Sequence, residues 1–445
     1  MSEGMPPATV AIIGAGPTGL FAARELACNG IGSVLFNRDI KPGGLAEYGI
    51  YPEKYRLKDG MRMQFNEILN NPNITYFGNV TIGVDQALSL QDLRALGFAA
   101  VLVTCGAQGT KWLGLPGEKA AGVYHAKEVV YHYNHLPPYA SQELKIGKRA
   151  VVVGVGNVMA DIVRYLSTLP QVEEITTIAR RGLAEVKFEK KELEPIIGHL
   201  DVEDFHAEVE RISAPMKWIC QVPNEEAESI LTTYNECPQK ALKPIWRLHF
   251  LYSPARILTN AQNEVSGIQL EQNSLELHDG EVRAKGSGQL SELPADTIIF
   301  AIGDKVNSEL GLPMQGIEYA KNPAPLFPIE GNSYEIFDTA HPENEKGIFV
   351  AGWARKPSTG LVGLARKDGT YAARAIVNYL QAEPNGHNVD RSGLEMLLHQ
   401  KGYAPVTTSL LQLLDAAEKE QAALLNLPEF KFDTNEEMLK RMKLT

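Results

Sequence analysis

Cysteine is scarce in this 445-residue chain, with four thiols at positions 28, 105, 220 and 237. Four are too few to staple a chain of this length, and their separations form neither a CxxC pair nor a zinc-ligand pattern. A reducing, cytoplasmic compartment is the expectation. No apolar run approaches the roughly 18 residues that a membrane span requires. The opening MSEGMPPATVAIIGAG has no basic n-region and no long apolar stretch, so no secretory signal is expected there. Positive charge is in deficit: 43 Lys plus Arg stand against 54 Asp plus Glu, a formal charge of −11. That balance argues against nonspecific nucleic-acid binding, because phosphate contacts need clustered cations. HExxH, GxSxG and a P-loop lysine are all missing, and the ten histidines show no metal spacing. What the chain does have is glycine, 39 residues of it. Their positions carry the argument.

The apolar run Val10–Ile13 meets Gly14-Ala15-Gly16-Pro17-Thr18-Gly19, and an apolar stripe at helical spacing follows through Leu20, Ala23, Leu26 and Ala27. That order predicts strand, tight turn, helix. In such a GxGxxG turn the first glycine makes the bend, the second lets backbone approach a pyrophosphate and the third packs helix on strand. The helix N-terminus then supplies N–H groups and a favourable dipole for the anion. A second strand, SVLFN, ends at Asn37, with Arg38 and Asp39 next. An acidic ribose ligand is usual at that point, so Asn37 is a departure, although its amide can still bond a hydroxyl.

The same grammar returns 140 residues later. Arg149–Val153 is the strand, Gly154-Val155-Gly156-Asn157-Val158-Met159 opens the helix, and ITTIA leads to Arg180-Arg181. Met159 takes the third glycine's place, so this helix cannot pack as closely by the same means. Arginine at the second strand's end suits a ribose 2′-phosphate, where an acidic residue would select a free hydroxyl. Two nucleotide turns with different second-strand ends predict two different dinucleotides. Such a pair has a natural use: a reduced nicotinamide passing hydride to a flavin, with the protein supplying position and electrostatics. The fold class is therefore α/β with two Rossmann-like dinucleotide-binding domains. From about 205 to 300 the pattern changes, and RLHFLYSPARIL, VSGIQLEQ and TIIFAIG predict strands of a mostly antiparallel or mixed layer. Helix is expected again through LARKDGTYAARAIVNYL and LLQLLDAAEKEQAALL, the second of which suits an interface or a packed helix.

YFGNVTIG, VLVTCGA, LPGEKAAGVYHAKEVVYHYNHLP, VVGVGNVMADIVRYL, ARRGLAEVKFEKKEL, LHFLYSPARIL and GWARKPSTGLVG occur in that order. Together they resemble the adrenodoxin reductase family of ferredoxin–NADP reductases, over roughly residues 8 to 380. GGLAEYGIYPEKYRLK is also similar to the small subunit of glutamate synthase. The resemblance implies an FAD domain split in sequence (1–108 and 337–384), an NADP domain inserted within it (109–336), and a C-terminal helical extension (385–445). It implies FAD contacts at Gly14, Gly16, Thr18, Gly19, Asn37, Gly44, Leu45 and the Cys105-Gly106 turn. Gly352-Trp353 and Gly360-Leu361-Val362 would border the isoalloxazine, with Trp353 and Gly360 beside the hydride-transfer position. NADP would lie on Gly154, Gly156, Asn157, Val158 and Met159, with Arg180 and Arg181 at its 2′-phosphate and Glu192 as a further contact. The implied activity is FAD-dependent oxidation of NADPH, with electrons passed to a small redox protein such as ferredoxin or flavodoxin. A reductase subunit of a larger complex, a reductase of a small molecule and a non-catalytic dinucleotide-binding module are the alternatives.

Departures from the family pattern fall mainly at the partner's side. A Pro-Asp-His near the flavin becomes Pro52-Glu53-Lys54, and the arginines that dock an acidic ferredoxin become His249 and Tyr252. Glu194 stands where the neighbouring segment is often basic. Lys187, Lys190 and Lys191, or Lys240, Lys243 and Arg247, are either a replacement patch or solvated faces.

Overall fold

The computed structural model describes residues 8–340, 346–360, 362–383 and 389–444. Two compact units divide the chain: residues 1–110, 134–141 and 303–445 form one, and 111–133 with 142–302 form the other. The first unit opens with β1 (Thr9–Ile13), α1 (Pro17–Cys28), β2 (Gly32–Phe36), α2 (Leu45–Tyr48) and α3 (Tyr55–Leu69). It continues through β3 (Ile74–Phe77), α4 (Leu90–Ala95), β4 (Ala100–Val103) and β5 (Gly109–Thr110). The second unit holds β6 (Val123–His125), α5 (Ala126–Tyr133), β7 (Arg149–Val153), α6 (Asn157–Ser167), β8 (Glu174–Ile178) and α7 (Lys190–Leu193). Then come α8 (Val202–Trp218), α9 (Pro223–Glu236), β9 (Ile245–His249), β10 (Tyr252–Thr259), β11 (Val265–His278), β12 (Glu281–Pro294) and β13 (Thr297–Phe300). Back in the first unit are β14 (Asp304–Lys305), β15 (Met314–Gln315), β16 (Glu318–Tyr319) and β17 (Ile348–Val350). The chain closes with α10 (Val362–Ala382), α11 (Arg391–Gln400), α12 (Thr408–Leu424) and α13 (Asn435–Arg441).

In the first unit a parallel sheet runs β17-β4-β1-β2-β3. β1 is buried along its whole length. Val10 and Ile12 join the core beneath α1, α3 and α10, whereas Ala11 and Ile13 join the core on the other face. A strand covered on both faces reads as an unbroken apolar run, which is why TVAII shows no polar alternation. In the second unit another parallel sheet runs β6-β13-β7-β8-β9, and the antiparallel β10-β11-β12 layer shares a core with it through Ile257, Ile268 and Leu270.

Three sequence expectations need adjusting. The return to the first unit comes at Gly303, not at 337: β14 pairs with β5, and Val306, Leu310, Leu312 and Tyr319 fill that unit's core. Residues 389–444 are part of the same unit, since Leu394 and Leu398 pack on one face of its sheet and Leu411, Leu414 and Phe432 on the other. The α12 stretch is accordingly a packed helix. Finally, 202–236 is helical, not part of a strand layer. Asp201 caps α8 by accepting from the Asp204 N–H, and Phe205, Val209, Ile212 and Met216 recur at helical spacing on its buried face. RLHFLYSPARIL is two strands in different sheets, β9 and β10, broken at Leu251, whose φ is +56°.

Candidate cofactor site

β1 delivers the chain to Gly14 at a φ of +103°, where its N–H donates to the Phe36 carbonyl at 2.8 Å. A Cβ there would lie 2.8 Å from the Cys105 nitrogen, so both conformation and space demand glycine. Gly19 is closed in a different way: its Cβ would come within 2.1 Å of the Gly14 carbonyl oxygen, which binds the first turn of α1 onto the loop. Thr104 completes the bend, donating from Oγ1 to the Gly14 carbonyl at 2.7 Å. Gly16 alone looks onto open space, with nothing within 4 Å of its would-be Cβ. It is the N-cap of α1, and among the described residues no side chain caps the helix's first amides. Unpaired helix N-terminal donors beside a glycine that faces empty space fit a phosphate group.

Further segments close on this turn. The Gly43 N–H donates to the Ala15 carbonyl at 2.8 Å, and Gly44, at a φ of +49°, brings its would-be Cβ to 3.1 Å from the Gly16 Cα. Leu45 follows as the half-buried first residue of α2. From the C-terminal half, Gly352 has a φ of +66° and packs where a Cβ would sit 2.3 Å from Thr18 Oγ1. The Trp353 indole N–H donates to the Thr359 carbonyl at 3.0 Å, pinning the loop that ends at the exposed Gly360. Val362 begins α10. Leu361 lies outside the described residues.

Asn37 is buried, and its amide is committed. Oδ1 accepts from the Ala15 N–H at 2.9 Å, while Nδ2 donates to the Asp39 and Lys41 carbonyls at 2.8 and 3.1 Å. It therefore holds the turn in shape, and Arg38 with Asp39 occupy the exposed end of β2. Cys105 is partly buried beside Gly106, whose φ is +74°. Burial pushes its thiol up to about 11, so it stays protonated and is no nucleophile.

In the second unit Gly154 repeats the bend at a φ of +124°, with a would-be Cβ 2.3 Å from the Ala301 carbonyl oxygen. Gly156 again faces open space and caps α6 without a side-chain partner for the first amides. Met159 is fully buried, so the third-glycine position is filled by core side chain. Asn157 accepts the Glu189 N–H at 2.9 Å and the Lys187 N–H reaches the Val155 carbonyl at 2.9 Å, clipping the segment before α7 to the turn. Val158 is exposed and Glu192 half-buried in α7. At the end of β8, Arg180 is exposed, its carbonyl held by Asn273 Nδ2 at 2.8 Å; Arg181 is half-buried and reaches the Val282 carbonyl at 3.4 Å.

Two buried clusters have no signature in the sequence. Asp368 on α10 accepts from Gly352 N–H at 2.6 Å, Arg355 Nε at 3.1 Å and Tyr334 OH at 3.1 Å, so one carboxylate anchors the Gly352 bend. Glu47 on α2 accepts from Arg62 Nε at 2.7 Å and lies 3.1 Å from Lys431 Nζ and 3.6 Å from Lys41 Nζ. Burial alone would raise the Glu47 carboxyl, yet Lys41, Lys431 and Arg62 hold it well below the usual range.

Residues 7–43 match the family described as FAD binding domain. The NADPH:adrenodoxin oxidoreductase of Arabidopsis thaliana is 27% identical over 97% of this chain and 95% of its own length. NADPH-ferredoxin reductase FprA of Mycobacterium leprae (strain TN) is 28% identical over 97% of each. The fold matches that of Mycobacterium tuberculosis FprA in complex with NADPH, with a TM-score of 0.80 at 24% identity, covering 98% of this chain and all of the other. Over nearly its whole length the chain is similar to the adrenodoxin reductases and to FprA-type ferredoxin reductases. The turn followed by Asn37 lies in the segment matched as FAD binding domain.

Proposed function

We propose that this protein is an FAD-dependent NADPH reductase that feeds electrons to a small iron–sulfur protein. One observation carries the reading. Each unit presents a turn whose first glycine is left-handed and whose second faces open space; the strand after the second unit's turn leads to the pair Arg180-Arg181, whereas the strand after the first leads to Asn37-Arg38-Asp39. When bound, FAD would supply a centre able to take a hydride from NADPH and give up single electrons. The balance is one NADPH oxidised, two one-electron acceptors reduced and one proton released.

The chain's own work is positioning. Gly16 and the first amides of α1 take the FAD pyrophosphate, and Asn37 keeps Ala15 and the turn in register. Asp368 fixes Gly352, and Trp353 fixes the loop to Gly360, so the segment beside the flavin is held from two sides. Gly156 and α6 take the pyrophosphate of NADPH. No thiol takes part, consistent with the protonated Cys105 and the absence of a close cysteine pair. What supports a reducing, cytoplasmic compartment is the scarcity of cysteine in the sequence, without a disulfide-framework spacing.

The purified protein should be yellow, and NADPH should bleach it anaerobically; NADPH-dependent reduction of ferredoxin, flavodoxin and ferricyanide then identifies the acceptor. A colourless protein that takes up no FAD ends the reading. Arg180→Ala/Arg181→Ala removes charge-assisted bonds worth about 1.5–3 kcal/mol each. We expect the KM for NADPH to rise at least 30-fold, with the KM for NADH changed less than threefold. Equal effects on both would remove the arginines from the 2′-phosphate.

A further inference from the structure

The geometry points to the α1–α10 face of the first unit as the docking surface for an acidic redox protein, an assignment that rests on the acceptor reading above. On that face Arg24, Arg366, Lys367 and Arg374 border one open depression of about 410 Å³. Aromatic rings seat the cations. The Arg24 and Arg366 guanidinium carbons lie 4.8 and 5.1 Å from the Phe21 ring centre, and Lys367 Nζ lies 5.0 Å from that of Tyr371. Held on rings, long side chains lose less freedom when a partner arrives. Two carboxylates temper the patch: Glu25 pairs with Arg374 at 2.8 Å and Glu330 with Lys367 at 3.6 Å. Among the described residues, neither Arg24 nor Arg366 has a carboxylate in ion-pair contact. Four cations against two carboxylates leave this face positive in a chain of net charge −11.

Three of the other basic candidates are paired with carboxylates of their own unit. Lys190 pairs with Glu236 at 2.8 Å, Lys191 with Glu189 at 2.7 Å, and Arg247 with Asp201 at 3.2 Å. His249, which stands where the family carries a docking arginine, faces Asp204 at 3.2 Å. The α10 patch also starts in the right place. Arg366 and Lys367 follow Val362 by four and five residues on one helix, which is about 6–8 Å along its axis. Val362 closes the segment assigned to the flavin border. A partner seated by its carboxylates on this face has its redox centre close to that segment, and complementary charge speeds and orients the encounter.

Arg366→Glu/Lys367→Glu holoenzyme tests this with NADPH and a purified acidic ferredoxin, and with ferricyanide as the small acceptor. Expected are a KM for ferredoxin raised at least tenfold at low salt, and unchanged ferricyanide turnover and KM for NADPH. The wild-type KM for ferredoxin should climb steeply with ionic strength while that of the variant stays nearly flat. Lys190→Glu/Lys191→Glu should match wild type, and Arg366→Lys/Lys367→Arg should retain most of the affinity. If wild type reduces ferricyanide but not ferredoxin, the acceptor reading fails and this surface with it. If wild type reduces ferredoxin and the double glutamate variant equals it, the surface assignment alone is overturned.

Discussion

Gly14→Ala should purify without flavin, whereas Gly154→Ala should purify yellow and respond to NADPH only at far higher concentrations. At Gly14 a side chain must adopt a φ of +103° and meet the backbone of Cys105 at 2.8 Å. The left-handed conformation costs about 1–2 kcal/mol. The forced backbone shift adds about 1–3 kcal/mol, because main-chain atoms cannot rotate away as a side chain would. Together these displace the turn that faces the pyrophosphate, and a loss of about 3 kcal/mol is over a hundredfold in affinity. Gly154 has the same two problems, a φ of +124° and the Ala301 carbonyl oxygen at 2.3 Å. Its damage falls on the second dinucleotide. Gly16→Ala separates ligand from fold. With an ordinary φ of −72° and nothing within 4 Å, the methyl should leave the melting temperature of the flavin-free protein unchanged while weakening FAD at least tenfold. Flavin content, FAD titration and NADPH-dependent bleaching check all three. If Gly16→Ala binds FAD as wild type does, the pyrophosphate does not lie against that residue.

Both nucleotide turns were legible in the sequence because their constraints are local. Gly14 and Gly154 combine a φ above +100° with no room for a Cβ, which only glycine meets, and a strand buried on both faces announces itself as TVAII or AVVV. Met159 was legible as a missing glycine, and its burial follows from that. Asn37 shows where the local reading ends. Its position at the end of β2 suggested a ribose ligand, but the partners that take its amide, at Ala15, Asp39 and Lys41, arrive by folding of loops that no spacing rule encodes. Asp368 and Arg355 are thirteen residues apart and meet only because α10 returns across α1. The boundary near 303 was hidden for the same reason: β14 is two residues long and pairs with a strand almost 200 residues earlier. α8 is a different case. Its helical spacing is present in DFHAEVERISAPMKWI, with Phe205, Val209, Ile212 and Met216 on the buried face, ahead of the strand-rich segments that begin at β9.

Glu47→Gln should be among the most destabilising single substitutions in the first unit. The carboxylate is buried and pairs with Lys41, Lys431 and Arg62, sharing their charge with Glu418 and Glu429. Lys431 comes from the C-terminal segment and also donates to the Glu47 carbonyl at 2.9 Å, while Lys41 reaches Glu418 on α12. Removing one partner of a buried ion pair strands the other charge and costs about 3–5 kcal/mol. For a unit of this size that is on the order of 10 °C in melting temperature. Asp59, the exposed partner of Arg62 at 3.0 Å, is the contrast: Asp59→Asn should cost under about 1 kcal/mol. Since Glu47 sits on α2 directly after Gly43 and Gly44, the variant should also release FAD faster. The pH dependence has a definite sign. Glu47 and Glu429 both titrate below the carboxylate norm of 4.5, so the stability they contribute is complete above that pH and is lost as the pH falls below it. Glu47→Gln should flatten that acid limb. Lys58, pushed down to about 8 by burial and then by Lys431, acts the other way: its protonation weakens the fold below pH 8, and the penalty lifts between 8 and 10.5. Melting curves of the holoprotein from pH 4 to 10 read both limbs, and a Glu47→Gln curve that parallels wild type in acid would show that these buried charges do not hold the C-terminal segment to the flavin loop.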